Sequence, residues 1–315
     1  MLQTTLSAML FVGTGFVLLA PQVPLIRKVS EYSVHIMLGM LLFSLLSLVF
    51  GKTKVMFAGL ACTAAICIFL KDASHHNLKL PEANTESKLN VAHINLANIT
   101  FEFDPISKIL YDEDIDVVSF QEFTPNWNTF LISMLNERFP YSSLEVRIDP
   151  YGLAVFSQIP FIAKDTFLCN DIPSMSVVVE KEGRKFQVIS SYLTPALDNK
   201  SLKVAAQQLN SIATKINDSN LPLIALGEYN MVYWTNEIRG FRAKTNLQNS
   251  RRGLVDSNLR VPYDHIFFSK ALECTQFKEL KDEAQNYIGI MGTYQLKKED
   301  DGYQTLNSQL SLIEY

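Results

Sequence analysis

The amino-acid sequence predicts a layered α/β sandwich preceded by three apolar, membrane-spanning helices. Residues 1–70 contain almost no charged side chains, whereas the rest of the chain alternates short apolar runs with amphipathic stretches. Several of the apolar runs pair as hairpins, which a purely parallel, doubly wound sheet would not contain. We therefore expect a membrane anchor at 1–70 and a folded domain at 89–315.

The anchor consists of three apolar stretches, Thr5 to Ile26, Ser33 to Phe50 and Val55 to Leu70. Each approaches the length of about 17–25 residues that spans a bilayer. Short connections make neighbouring helices antiparallel, so three spans place the N-terminus and the domain on opposite sides. Basic residues occur at both ends of the stretches, so they leave the side of the domain open. We expect an integral membrane protein.

Residues 71–88 are polar and lack an apolar period, which predicts an exposed tether between the anchor and the domain. His75 and His76 lie in this tether and are expected to be solvated, because two histidines in a flexible linker do not make a metal site. The soluble part also contains Cys169 and Cys274. They would form a disulfide only if the fold placed them close together, and the sequence leaves this open.

The charge of the chain does not favour nucleic acid as a partner. The formal net charge is −4, and 19% of the residues are charged. A nucleic-acid-binding domain usually carries a basic face instead. One local cationic stretch is predicted to be a solvated loop, and it comprises Arg239, Arg242, Lys244, Arg251 and Arg252.

The domain begins with strands and helices in alternation. Strands are predicted at Leu89–Asn95, Asp116–Glu122 and Gly152–Ser157, with helices at 104–113 and 125–139. The second half contains a hairpin around Glu182 and Gly183, a long helix and further strands. Its predicted elements are strands at 176–180, 185–192, 223–228, 263–269, 273–280 and 288–296, and helices at 198–217 and 236–244.

Polar residues follow several of these strands where each one ends. The apolar run from Leu223 breaks at Gly227 onto Glu228, Tyr229 and Asn230. A glycine lets the backbone turn there, so that a carboxylate and a carboxamide project from the edge of the sheet. Ligands of layered α/β proteins often bind at such strand ends. The sequence therefore predicts a ligand site at this edge.

Five segments occur in a characteristic order and spacing: Val91–Asn95, Val117–Glu122, Gly152–Pro160, Leu226–Asn230 and Tyr263–Ser269. Together they resemble the endonuclease/exonuclease/phosphatase superfamily, and in particular its membrane-anchored bacterial members, which implies a bacterial inner or plasma membrane. The resemblance covers residues 89–296 and implies the DNase I-like fold, a four-layer α/β/β/α sandwich.

The resemblance also implies a phosphoesterase site. The family hydrolyses phosphate esters with a divalent cation, usually Mg²⁺, which the equivalents of Asn95 and Glu122 hold. Oxygen ligands of this kind suit Mg²⁺. The equivalents of Glu228 and Asn230 orient the phosphate and the attacking water, and the equivalent of Asp264 assists nearby.

The sequence departs from the family pattern at four linked positions. Tyr192 and Tyr287 stand where the family has its two catalytic histidines. Asn286 replaces the aspartate that precedes the second histidine, and Glu228 replaces an aspartate of the central motif. A phenol with a pKa near 10 is a poor base at neutral pH, whereas an imidazole titrates near 6.5.

Three functions from different classes remain open on the sequence. The chain is a weakly active or inactive binder of a phosphorylated small molecule, a lipid head group or a protein partner. Alternatively, it is an active Mg²⁺-dependent phosphodiesterase or phosphatase with altered acid and base residues, in which the tyrosines act as neutral donors or as ionised groups. In the third alternative, the chain is a structural membrane subunit. His93 and His265 are predicted to have structural roles.

Overall fold

A computed structural model describes residues 1–22, 27–77, 79–83, 88–99 and 104–297. The N-terminal part contains apolar helices α1 (Leu2–Leu19), α3 (Ser33–Val49) and α4 (Thr53–Ala73), with the short α2 (Arg27–Glu31) between the first two. The helices run up, down and up, and α4 packs against both α1 and α3. Helices α1 and α4 are long and apolar enough to cross a membrane, and α3, with 17 residues, is shorter.

The domain consists of two six-stranded sheets with helices on their outer faces. The first sheet has the order β11-β12-β1-β2-β4-β3, and the second has the order β5-β6-β7-β8-β10-β9. Their strands are β1 (Leu89–Asn95), β2 (Val117–Gln121), β3 (Tyr141–Glu145), β4 (Leu153–Ser157), β5 (Phe161–Cys169), β6 (Ile172–Lys181), β7 (Arg184–Tyr192), β8 (Leu223–Glu228), β9 (Gln248–Asn249), β10 (Asp264–Phe268), β11 (Leu272–Lys281) and β12 (Tyr287–Leu296).

Three apolar layers separate the elements. The middle layer lies between the two sheets and includes Val91, Val177 and Ile266. Helices α5 (Asp104–Asp112) and α6 (Pro125–Leu135) cover the first sheet, and α7 (Asn199–Asn217) and α8 (Asn236–Thr245) cover the second. This arrangement confirms the predicted four-layer α/β/β/α sandwich.

Local sequence explains several of the elements. The predicted hairpin joins β6 and β7 at Glu182 and Gly183, which both have positive φ angles of 51° and 74°. This backbone matches the twist of a two-residue hairpin turn. Helix α7 begins with a capping box, in which Asp198 accepts a hydrogen bond from the backbone N–H of Ser201 at 2.7 Å. Strands β3 and β5 were not predicted.

The structure corrects the first part of the exposed tether predicted at 71–88, and residues 78 and 84–87 of the tether lie outside the described residues. Residues 71–73 continue α4, and the backbone N–H of His75 donates to the carbonyl oxygen of Arg251 at 3.0 Å. The imidazole of His75 also stacks on Phe268, with 5.9 Å between the ring centroids. An aromatic ring that packs on the domain is no longer solvated, so this part of the tether is docked.

The predicted cationic loop is also wrong as a single solvated stretch. Arg251 is buried and forms an ion pair with Asp256, and Arg239 pairs with Asp72 of α4 at 2.6 Å. These cations are therefore divided between the domain interior and the junction with the anchor. Cys169 and Cys274 are both free and lie on edge strands of different sheets.

The N-terminal helices and the domain are joined by polar contacts around α2. The indole N–H of Trp234 donates to the carbonyl oxygen of Ser30 at 2.6 Å, and the hydroxyl of Tyr263 donates to Glu31 at 2.7 Å. Trp234 is fully buried. The connection between the helices therefore packs directly on the loop that follows β8.

Gly227 is required where β7 and β8 approach each other. Its φ angle is 144°, and a Cβ atom at this position would lie 1.9 Å from the carbonyl oxygen of Ser191. We expect Gly227→Ala to lower the free energy of unfolding by about 2–4 kcal/mol, because the backbone of β7 must move. Thermal unfolding of the full chain in detergent measures this loss.

Gly253→Ala is the matched control, because no atom lies within 4 Å of the added Cβ and the position is exposed. The control should unfold within about 0.5 kcal/mol of the wild type. Equal stability of the two variants would contradict the close approach at Gly227.

Candidate functional site

The candidate site lies at one end of the sandwich, where strands of both sheets end. In the second sheet, Tyr192 on β7 and Asp264 on β10 are both paired in register with Glu228 on β8. In the first sheet, β1 ends at Asn95, and Glu122 follows β2. The topology therefore brings three predicted side chains into one row and two more against it from the opposite sheet.

Gln121 ties the two sheets together at this end. Its amide nitrogen donates to the carbonyl oxygen of Ser191 at 2.5 Å, and its amide oxygen accepts from the backbone N–H of Glu228 at 3.0 Å. Glu122 follows with a φ angle of 57°, a left-handed conformation that is uncommon for this residue type. The chain therefore turns sharply just where the carboxylate of Glu122 enters the site.

Asn95 lies between two carboxylates, one from each sheet. Its Nδ2 donates to Glu122 Oε1 at 3.2 Å and to Glu228 Oε2 at 2.5 Å. Its Oδ1 accepts from the backbone N–H of Ala97 at 2.9 Å. The side chain predicted to be a metal ligand thus presents its amide nitrogen to the two acids, and its oxygen is engaged by the backbone.

Glu228 holds its proton far more tightly than an ordinary glutamate. Burial, together with the negative charge of Asp264, raises the pKa of Glu228 to about 7, although the hydrogen bond from Asn95 opposes this shift. Two neighbouring acids cannot both ionise freely in a site of low polarity. Glu228 is therefore partly protonated near neutral pH.

Asp264 is the fully buried anion of the site. Burial would raise its pKa, but His93, Arg260 and Tyr287 outweigh burial and hold the pKa of Asp264 well below its usual range. His93 Nε2 lies 3.2 Å from Oδ1, and Arg260 Nη1 lies 3.1 Å from Oδ2. The Tyr287 hydroxyl donates to the same Oδ2. Asp264 is therefore ionised and has a partner on each oxygen.

Neither tyrosine ionises in the neutral pH range. Burial and the charge of Glu228 raise the pKa of Tyr192 well above its usual range, and Asn230 opposes this rise through a hydrogen bond. Burial and the charge of Asp264 raise the pKa of Tyr287 in the same way. The guanidinium of Arg260 lies over the Tyr287 ring, 3.4 Å from its centroid. Both phenols are therefore neutral groups.

The structure does not bring Asn286 into the site. Asn286 is exposed, and its backbone and side-chain N–H groups donate to Asp282 at 2.7 and 2.8 Å. A closed turn holds it away from Tyr287. Asn230 lies next to the site and donates to the carbonyl oxygen of Leu193 at 2.8 Å. Tyr229 is a core residue that packs edge-on against Phe267.

Three residues of the site were not identified from the sequence. His93 was interpreted as structural, yet it contacts Asp264 directly. Its position two residues before Asn95 places both side chains on the same face of β1, which is the signal that could have found it. Arg260 and Gln121 carry no comparable signal. His265 bonds to the carbonyl oxygen of Met231 at 2.8 Å, and burial lowers its pKa to about 3.

The residues of this site fit a divalent cation. Among the described residues, no three His, Cys, Asp or Glu side chains are grouped to hold a metal ion. However, Glu122 and Glu228 converge on the single Nδ2 atom of Asn95, so their oxygens are close together. A cation there would relieve the repulsion that raises the pKa of Glu228. Hard oxygen donors of this type suit Mg²⁺, which keeps several waters of its own.

A cleft of about 510 Å³ opens beside Glu122. Its walls are mainly apolar and include Trp127 on helix α6 and the highly exposed Ile148. The remaining lining residues are Leu96, Ala97, Ile99, Thr124, Pro125 and Asn126. The carboxylate end of the site is therefore open to a ligand with an apolar part.

Glu228 makes the stability of the cation-free protein depend on pH. Its pKa is about 7 in the folded chain, against a reference value of 4.5. The folded state binds more protons between these values, so the free energy of unfolding falls as the pH rises from about 5 to about 7. We expect a fall of about 1–3 kcal/mol, measured by urea unfolding of the full chain in detergent without Mg²⁺.

The glutamine of Glu228→Gln cannot ionise, so the free energy of unfolding of this variant should not fall between pH 5 and 7. Glu137→Gln removes an exposed carboxylate of the same type, and its free energy of unfolding should fall with pH as in the wild type. An unchanged pH profile in Glu228→Gln would show that another group causes the dependence.

Comparison with known proteins places this arrangement in a family. The model of the endonuclease/exonuclease/phosphatase family matches residues 84–286. A search of curated proteins found no match.

Solved structures with the same fold include an endonuclease/exonuclease/phosphatase from Bacteroides vulgatus. It is 14% identical, with a TM-score of 0.56 over 67% of this chain and 100% of the other. A protein of the same description from Beutenbergia cavernae is 14% identical, with a TM-score of 0.55 over 66% of this chain and 72% of the other. D. rerio TDP2 in complex with a single-stranded DNA product is 16% identical, with a TM-score of 0.52 over 67% and 100%.

Proposed function

The chain belongs to the endonuclease/exonuclease/phosphatase family, and we propose that it is a membrane-anchored member that binds a phosphorylated ligand with a divalent cation and hydrolyses it slowly or not at all. One observation carries this proposal. The hydroxyl of Tyr287 donates to Asp264, so a neutral phenol occupies the position from which an imidazole would exchange protons.

The acid and base chemistry of this site is weak. Tyr192 and Tyr287 keep their protons at neutral pH, so neither can accept one from an attacking water. A positioned general acid or base contributes about 10²–10⁴ in rate. The replacement of both therefore costs several orders of magnitude in rate. The Tyr287 proton is already donated to Asp264, so Tyr192 is the neutral phenol that would hydrogen-bond a phosphate oxygen.

The binding function rests on groups that the chain retains. Glu122 and Glu228 would hold the cation, which neutralises charge on phosphoryl oxygens when it is bound. Asn95 keeps the two carboxylates together, and Asn230 lies beside Tyr192. The cleft next to Glu122 gives room for the rest of a small phosphorylated molecule or lipid.

The surface of the N-terminal helices supports a membrane anchor. Their outward-facing side chains are large, apolar and exposed over the length of the bundle, for example Phe11, Val49 and Ile68 at 56%, 78% and 71% exposure. A water-soluble protein rarely exposes a continuous apolar surface of this size. A lipid environment would cover it.

Glu228 favours a second candidate function, an active phosphoesterase with altered chemistry. A buried carboxyl with a pKa of about 7 is suited to accept and return a proton at neutral pH. In this case Glu228 would accept the proton of the attacking water, and a bound cation would supply positive charge to the phosphoryl oxygens.

Turnover by the purified full chain distinguishes the two functions. We expect the wild type to hydrolyse bis-p-nitrophenyl phosphate and p-nitrophenyl phosphate with Mg²⁺ or Mn²⁺ barely above background. Tyr192→His with Tyr287→His should raise the rate by about 10²-fold or more, because it restores groups that titrate near neutral pH. Rapid wild-type turnover that Glu228→Gln abolishes would establish the second candidate instead.

Cation binding tests the shared premise of both functions. We expect Mg²⁺ or Mn²⁺ to raise the thermal midpoint of the full chain at pH 8, where Glu228 is ionised, more than at pH 6. Glu122→Gln should lose most of the effect, whereas Glu137→Gln should retain it. If neither cation stabilises the wild type, both functions fail, and the structural membrane subunit remains.

A further inference from the structure

A second cleft lies where the last turn of α4 meets α8, and it has a volume of about 610 Å³. Its walls include Asp72 and Ala73 at the end of α4, Arg239 and Arg242 on α8, and Lys270. A smaller cleft of about 110 Å³ continues from it and shares His75, Asn77, Gln248 and Lys270 with the first. Neither contains a residue of the acidic site.

The two clefts form a strongly basic strip on a protein with a net charge of −4. Two acidic residues, Asp72 and Glu273, line them together with six cations. The cations are Arg239, Arg242, Lys270, Lys79, Arg252 and Lys297. Asp72 is paired with Arg239 at 2.6 Å. The strip therefore has an excess of positive charge that its own carboxylates do not balance.

Arg242 lies at the centre of this excess charge. One guanidinium nitrogen donates to the carbonyl oxygen of Ala73 at the end of α4, and Nε is buried without a hydrogen-bond partner. Burial and the nearby charge of Arg239 lower the pKa of Arg242 to about 10. Arg239 and Arg242 both lie near the single carboxylate of Asp72. An anion bound in the cleft would therefore offset the repulsion between the two guanidinium groups.

The cleft begins where the apolar surface of α4 ends. Ile68, which is 71% exposed, lies four residues before Asp72, or about 6 Å along the helix axis. If α4 spans a bilayer, the apolar face around Ile68 faces the acyl chains. The basic strip then lies at the depth of the head groups, where anionic phospholipids carry their phosphates.

We propose that the basic cleft between α4 and α8 binds the phosphate of an anionic phospholipid on the domain side of the membrane. The proposal rests on the membrane anchoring that we propose above and does not depend on hydrolysis at the acidic site. The bound phosphate neutralises Arg242 and Lys270 and fastens α8 to the end of α4. The lipid thereby fixes the orientation of the domain against the bilayer.

The test compares full-length protein in nanodiscs of phosphatidylcholine alone with nanodiscs that contain one third phosphatidylglycerol. The anionic lipid should raise the thermal midpoint by about 3–6 °C in low salt and by much less in 0.5 M NaCl. Lys270→Glu should lose most of this shift, because it replaces a cation of the cleft with an anion. The variant should still fold, because the side chain of Lys270 makes a long contact to Asn246, at 3.4 Å, that contributes little to stability.

Lys28→Glu is the matched control, because it makes the same charge change on the same side of the helices but outside the cleft. It should keep the shift. An equal loss in both variants would mean unspecific attraction to the charged surface and would overturn the site. No shift in the wild type would overturn it as well.

Two further measurements complete the test. One distinguishes lipid phosphate from free phosphate, and the other tests whether the chain is anchored in the membrane. Inorganic phosphate at 10 mM in detergent should produce little shift, and a full shift would assign the cleft to a free phosphate compound and overturn the lipid. Alkaline carbonate should leave the chain in the membrane pellet. Release by carbonate would refute the anchor itself, whereas retention without a lipid effect would refute only this inference.

Discussion

The site depends on hydrogen bonds that join the ends of the two sheets. The amide of Gln121, on the first sheet, bonds to the carbonyl oxygen of Ser191 and to the backbone N–H of Glu228 on the second sheet. His93 and Asp264 form a further polar contact between the sheets. At this separation, Asn95 is within reach of both Glu122 and Glu228.

The rest of the site follows from charge balance around this junction. Two neighbouring carboxylates, Asp264 and Glu228, are paired in register, and their surroundings affect their pKa values in opposite directions. Asp264 is surrounded by His93, Arg260 and Tyr287 and stays ionised, whereas Glu228 retains its proton up to neutral pH. The hydroxyl of Tyr287 donates a hydrogen bond to Asp264. The network therefore places an ionised carboxylate beside one that keeps its proton.

Apolar periodicity, a local property, predicted a layered α/β sandwich and the strand ends that carry Asn95, Glu122, Glu228 and Asp264. The four-layer arrangement was predicted from the resemblance to the family. The sequence did not predict the contact between His93 and Asp264, which depends on how two sheets face each other. Asn286 was misplaced because Asp282, four residues earlier, captures its N–H groups in a local turn. Similarly, the docking of His75 requires Phe268 and Gln248, which are distant in the chain.

The hydrogen bond from Trp234 to Ser30 links the N-terminal helices to the site. Trp234 lies in the loop that also carries Asn230, and Tyr263, which bonds to Glu31, immediately precedes Asp264. A rotation or tilt of these helices would therefore reach Asn230 and Asp264 through directly bonded segments of the chain. The orientation of the N-terminal helices and the positions of these two side chains are thus mechanically coupled.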